Sequence, residues 1–149
     1  MADIDIRPLP AMRIAAATDV VPVDAVAGVV EALFQEVQAV FGHAPGAQDV
    51  PIATYAFDGD RMRVAAGYLV GMLVPEGLED VELDAEEQVA TLEHHGPMAG
   101  VTATWEALHG AIAERGLVPS GVARERYVRA ASADQADWIV ELQQPVRPA

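Results

Sequence analysis

Val30-Glu31-Ala32-Leu33 and Trp105-Glu106-Ala107-Leu108 stand 75 residues apart, and the chain matches itself at that offset. Pro22 falls on Pro97, Val26 on Val101, Val37 on Ile112 and Val64 on Ile139. Identity between the halves is sparse, but the apolar positions and the helix starts coincide. Such a repeat predicts two copies of one supersecondary unit, with a shared cleft at the interface between them. The first copy spans residues 11–74 and the second residues 84–147.

Working outward from the repeated tetrapeptides, Val26, Val30, Leu33, Val37 and Val40 recur at alternating steps of four and three. That spacing predicts one face of an amphipathic helix, from near Asp24 to just before Gly42. Met98, Val101, Trp105, Leu108 and Ile112 give the second helix, opened by Pro97 and closed by Gly116. Met12 to Ala17 reads as a strand preceded by a proline-bracketed lead-in, Arg7 to Pro10. His43 to Pro51 reads as a loop. Asp58-Gly59-Asp60 lies between two apolar runs, Ile52–Phe57 and Arg61–Val70, and predicts a hairpin. Gly71 to Glu82 reads as a linker with at most a turn of helix. Glu87 to Glu93 is the strand before the second helix. Tyr127–Ala130 and Asp137–Gln143 form the last hairpin, with Ser132–Gln135 as its turn and Pro145 and Pro148 ending it. The predicted fold is α+β: two strand-helix-strand-strand repeats related by a pseudo-two-fold, each helix covering one face of its own antiparallel sheet.

A chain of 149 residues with 52% hydrophobic content is long enough to bury a core and is far from the composition of a disordered segment. No apolar run reaches the length of a membrane span, and Met1-Ala2-Asp3-Ile4-Asp5 lacks the basic start of a signal peptide. With no cysteine, disulfide and thiolate chemistry are excluded, and a cytoplasmic protein is expected. The formal net charge of -14 argues against direct binding of nucleic acid, whose recognition needs a basic surface. The same charge draws cations toward any concave site, besides serving solubility.

Few residues stand out as carriers of chemistry. Glu141 interrupts the apolar run Trp138-Ile139-Val140-Glu141-Leu142 and is matched by Ala66 in the first repeat. A carboxylate there is either half-buried beside a cavity, where it needs a cation or a donor, or exposed on an edge strand. Trp105 replaces Val30 on the helical stripe, as a core residue or as a stacking surface for a cationic aromatic ligand. Tyr55, Tyr68 and Tyr127 lie on predicted strands, and spacing alone leaves each between core and cleft. His94-His95 point to opposite faces of a strand and make a poor chelate, and His43 and His109 lack partners at ligand spacing, so no metal and no cofactor is expected. Glu93, His94 and Glu141 are a candidate acid/base set. No nucleophile elbow, Ser-His-Asp set or phosphate-cradling glycine loop is present.

The chain resembles the GyrI-like small-molecule-binding domain, which also forms the effector-binding half of AraC-type and MerR-type multidrug-sensing regulators. The resemblance rests on Val89-Ala90-Thr91-Leu92-Glu93-His94-His95-Gly96-Pro97-Met98 before the second helix, on Trp105-Glu106-Ala107-Leu108, on Tyr127, and on Ile139-Val140-Glu141-Leu142-Gln143-Gln144-Pro145-Val146. Tyr55-Ala56-Phe57 with Val64–Val70 is similar to the family's first-half hairpin. The resemblance covers about Arg7 to Val146. It implies a ligand groove between the repeats, with Glu141 at the family's acidic position facing lipophilic cations and Trp105 and Tyr127 at aromatic positions. Met98 departs from the aromatic usual after Gly-Pro and predicts a looser pocket mouth. The chain leaves no room for the helix-turn-helix of the regulators.

Three readings follow from the resemblance. The first is binding of a hydrophobic or cationic small molecule, for sequestration or detoxification, by Glu141, Trp105, Tyr127, Tyr68, Met98 and Tyr55. The second is hydrolysis of electrophilic, cyclopropane-type compounds, as the resemblance to stand-alone members implies, with Glu141 as general base and Tyr127 or Tyr68 positioning the substrate. The third is a protein partner, gyrase, approached through the acidic surface. Free strand edges leave homodimerisation open.

Overall fold

The computed structural model describes residues 3–41, 51–70, 74–130 and 132–149. The chain divides into two compact units, Ala11–Asp84 and Met1–Pro10 with Ala85–Ala149. Each is an antiparallel sheet carrying one long helix, an α+β architecture.

In the first unit the strands are β2 (Met12–Pro22), β3 (Pro51–Asp58), β4 (Arg61–Leu69) and β5 (Glu79–Leu83), in the order β3-β4-β2-β5. The Asp58-Gly59-Asp60 turn forms as its sequence demands. Gly59 takes φ +66, a conformation that a side chain would strain. A 3-10 turn over Val23–Ala25 leads into α1, Val26–Phe41. Leu33 and Val37 from α1 pack on Ala17, Val64, Ala66 and Tyr68, with Val30, Phe34 and Tyr55 around them. The opposite face carries Ile14, Ala16, Ile52 and Ala65.

In the second unit the order is β1-β6-β9-β8, from β1 (Asp5–Leu9), β6 (Glu86–His95), β8 (Ala123–Arg129) and β9 (Ile139–Pro148). Short β7 (Leu117–Pro119) pairs with the end of β9. A 3-10 turn over Met98–Gly100 leads into α2, Val101–Glu114, which buries Leu108, Ala111 and Ile112. Val26 and Val101 open the two helices at the 75-residue offset of the tetrapeptides. Strand order repeats as well, with β5 closing one sheet and β1 the other.

Four expectations are corrected. Arg7–Pro10 is not a lead-in, because β1 pairs with β6 through Arg7 opposite Val89. The segment read as a linker contains β5, whose acidic composition concealed a strand pairing with β2. Its residues 71–73 lie outside those described, as does the loop read at His43–Pro51 apart from Pro51. The last strand runs through Pro145 to Pro148. A residue's N–H and C=O point to the same strand edge, and the Pro145 carbonyl accepts the Ser120 N–H at 2.8 Å. The missing proline donor therefore faces the break between the β8 and β7 ladders rather than β6.

The fourth correction bears on function. Ala17 pairs with Ala66 in the first unit, and Leu92 pairs with Leu142 in the second. The counterpart of Ala66 is thus Leu142, not Glu141, and that of Val64 is Val140, not Ile139. The chain runs one residue longer between α2 and β9 than between α1 and β4. A one-residue slip turns every side chain of a strand to the other face.

Candidate functional site

The slip sorts the candidate residues onto two faces of the second unit's sheet. His94, opposite Val140, faces α2: its ring bonds Thr104 Oγ1 at 2.7 Å and the Pro97 carbonyl at 2.9 Å. Tyr127 also pairs with Val140, and Glu125 pairs with Leu142, so both share that face. Trp105 reaches it from one turn inside α2. The Trp105 indole Nε1–H donates to Glu125 Oε2 at 2.9 Å, and the Tyr127 hydroxyl donates to Glu125 Oε1 at 2.7 Å. Glu125 is 4% exposed and Tyr127 7%, while Trp105 is half-buried. A carboxylate this deep is costly unless its oxygens receive donors, and here two aromatic side chains supply them.

The cluster is extended on both sides. Trp138 meets the Tyr127 ring edge-on at 6.5 Å between centroids. His109, one turn further along α2, tilts against Trp105 at 5.7 Å, and its Nε2 donates to Gln144 Oε1 at 3.3 Å. Gln144 in turn donates to the carbonyls of Ser120 and Pro145, which fixes the orientation of its amide.

The first unit shows what the fold itself requires at these positions. Ala53 pairs with Ala66 and Tyr55 with Val64, so Ala53 corresponds to Glu125 and Tyr55 to Tyr127. Val30 corresponds to Trp105. One unit fills the place beneath its helix with valine, alanine and tyrosine, and the other with tryptophan, glutamate and tyrosine. Glu125 was not among the residues singled out by sequence. It stands between Arg124 and Arg126, where a charged strand reads as solvated. The available signal was its two-residue spacing to Tyr127.

Glu141 lies on the other face. It sits on β9 between β6 and β8, opposite Glu93 and Arg126, so the edge-strand alternative does not hold. Its Oε1 accepts from Arg7 Nη2 at 2.7 Å and from Gln143 Nε2 at 2.7 Å. Burial raises its pKa, but the hydrogen bonds from Arg7 and Gln143 and the charges of Arg7 and Arg126 outweigh burial and hold it below the ordinary carboxylate value. A carboxylate held ionised by a paired arginine is a weak general base. The set Glu93, His94 and Glu141 is not assembled, because His94 points to the α2 face and Glu93 bonds His95 at 3.0 Å. Tyr55 and Tyr68 belong to the first unit. Tyr68 is 8% exposed, meets Phe34 edge-on and donates to Gln38 Oε1 at 3.1 Å. Met98 opens the 3-10 turn before α2, half-buried.

The Arg7–Glu141 pair gives a prediction. A carboxylate with a lowered folded-state pKa stabilises above its unfolded pKa, and that stability disappears as pH falls through the folded value. Arg7→Met is expected to cost about 1–2 kcal/mol at neutral pH, discounted because Arg7 is 42% exposed. The difference should close in acid, where Glu141 is protonated in both proteins. Denaturant melts between neutral pH and strong acid check this, and a gap independent of pH would contradict the pairing.

The sequence matches the family described as GyrI-like small molecule binding domain over residues 2–147. The chain belongs to that family. No curated protein sequence matches it. The GyrI-like fold is seen in solved structures of low identity. SAV2435 bound to tetraphenylphosphonium aligns at TM-score 0.77 and 14% identity, over 97% of this chain and 94% of that one. The EcmrR C-terminal domain aligns at TM-score 0.73 and 18% identity, over 99% and 98%. A hydrolase from Listeria innocua aligns at TM-score 0.58 and 14% identity, over 97% and 91%. At these identities the likeness is one of fold. Among the described residues no helix is long and apolar enough to cross a membrane.

Proposed function

We propose that this GyrI-like domain binds hydrophobic organic cations on the α2 face of its second unit, with Glu125 as counter-charge and Trp105 and Tyr127 as aromatic walls. The carrying observation is the replacement of Ala53 in one unit by Glu125 in the other, buried and bonded to both rings. Packing that an alanine satisfies gives no reason for a buried carboxylate. A cation against desolvated aromatic faces gains about 2 kcal/mol, and a carboxylate behind them adds its charge. The tetraphenylphosphonium held by SAV2435, a protein of the same fold, supports this ligand class. Met98, unbranched and flexible, suits the rim of a site that accepts varied shapes. Calorimetric titration with tetraphenylphosphonium and with neutral triphenylphosphine oxide tests the proposal. The cation should bind at least tenfold more tightly; equal affinities would remove the role of Glu125.

Turnover is a second reading, and one contact favours it. With Tyr127 O–H 2.7 Å from Glu125, a carboxylate and a phenol stand together. Glu125 would take a proton from water as the water oxygen attacks an electrophilic ring carbon. Tyr127 would give its proton to the carbon released as the ring bond breaks, and the carboxylic acid would return a proton to the phenolate. Mass spectrometry of a cyclopropane-bearing electrophile after incubation checks this. A product heavier by one water, absent with Glu125→Gln, is the expected result if the reading holds. Recovery of unchanged compound would limit the site to binding.

A further inference from the structure

The β8–β9 connection differs from its counterpart in the first unit. There β3 and β4 join through the tight turn at Gly59. Here the segment between Arg129 and Ile139 is long, and its stretch Ser132–Trp138 reaches the start of α2. Gln135 Oε1 accepts the backbone N–H of Met98 at 2.8 Å. The Gln135 carbonyl accepts the Trp138 N–H at 3.2 Å, the Trp138 carbonyl accepts the Gly96 N–H at 2.9 Å, and the Trp138 indole donates to the Ser132 carbonyl at 2.8 Å. Trp138 also touches Tyr127. Gln135 is, among the described residues, the one non-glycine with positive φ, at +61°. That left-handed conformation disfavours a side chain, so glycine would be preferred there unless the side chain were used.

We infer that Gln135 is a positioning residue for the site, a latch that holds the start of α2 against the β8–β9 connection so that Trp105 meets Glu125. Glu125 and Tyr127 are nearly inaccessible while the latch is closed. A ligand reaches them only when the start of α2 lifts, a movement opposed by the Gln135–Met98 bond together with the Gly96–Trp138 bond and the bonds from His94 to Thr104 and Pro97. The indole of Trp105 rides on the moving element while its partner Glu125 stays on the sheet.

The inference rests on the binding reading for its use but is tested without ligand. Exchange of the Trp105 indole proton with solvent, followed by NMR, reports opening of the site. Gln135→Gly removes the latch and accepts the φ of that position. The expected result is indole exchange at least tenfold faster than in the native protein, with the thermal midpoint moved by less than about 3 °C. Gln135→Glu keeps an acceptor for Met98 and should stay within about twofold of native exchange. Tetraphenylphosphonium should associate faster with Gln135→Gly. Faster indole exchange without any phosphonium binding would uphold the latch and overturn the binding reading. Native exchange in Gln135→Gly would overturn the latch whatever binds, and so would Gln135→Glu exchanging as fast as Gln135→Gly.

Discussion

Gly67→Ala is expected to destabilise the protein by about 4 kcal/mol or more, a large part of the 5–15 kcal/mol typical of a domain. Gly67 lies in β4 between Ala16 of β2 and Ile52 of β3. A Cβ there would stand 2.0 Å from the Ala15 carbonyl oxygen and 2.8 Å from Ala15 C and Ala16 Cα. All three are backbone atoms of a paired strand, so no side chain can turn aside. Either the β2–β4 ladder parts or the sheet shifts as a whole, and with it the alanine face that receives Leu33 and Val37. Overpacking of ordinary cores costs less because flexible side chains yield. Gly110→Ala is the control. It lies on α2 with nothing within 4 Å of the added carbon, and should stabilise by about 0.5–1 kcal/mol through helix propensity. Thermal melts should show Gly67→Ala lower by about 10 °C or more, or insoluble, and Gly110→Ala at or above native. A native melting point for Gly67→Ala would mean that β2 and β4 do not approach in this way.

Glu125→Gln is expected to lower the affinity for tetraphenylphosphonium at least tenfold, about 1.4 kcal/mol, and to leave triphenylphosphine oxide within about twofold. The amide keeps one oxygen for the Trp105 indole, and its NH2 can donate to a rotated Tyr127 hydroxyl, so the fold should lose only about 1 kcal/mol. What is lost is charge in a desolvated place, and only a charged ligand registers it. Glu141→Gln serves as comparison. Its carboxylate is engaged by Arg7 and Gln143 on the opposite face, and phosphonium affinity should stay within about twofold. Equal losses in both variants would indicate a long-range field of the acidic protein rather than a site.

Much of this fold can be read from the chain. The repeated tetrapeptides, the valine and leucine steps and the Asp-Gly turn state physical periods, and α1, α2 and the β3–β4 hairpin follow them. What stayed hidden was set by partners distant in sequence. β1 contains Pro8 and β5 contains Glu79, Asp80 and Glu82, so neither alternates; each exists because β6 or β2 offers an open edge. Trp105 and Tyr127 are conspicuous in the sequence because aromatic residues are scarce, and both bond Glu125. Glu141 drew attention as a charge among apolar residues. Its face depended on a single additional residue between α2 and β9, which no local pattern reveals and which strand pairing makes plain. Glu125 was masked by Arg124 and Arg126, charges that belong to the other face of the same strand.

We propose that small molecules are met on the face of the second sheet that carries Glu125, not on the face that carries Glu141. Mapping tetraphenylphosphonium on the isotopically labelled protein by NMR decides between the two faces. Saturable shifts of the Trp105 indole N–H and of the Glu125 and Tyr127 amides are expected, with ligand protons giving cross-relaxation to the indole. Shifts confined to Arg7, Glu141 and Gln143, with the Trp105 indole unmoved, would contradict the proposal.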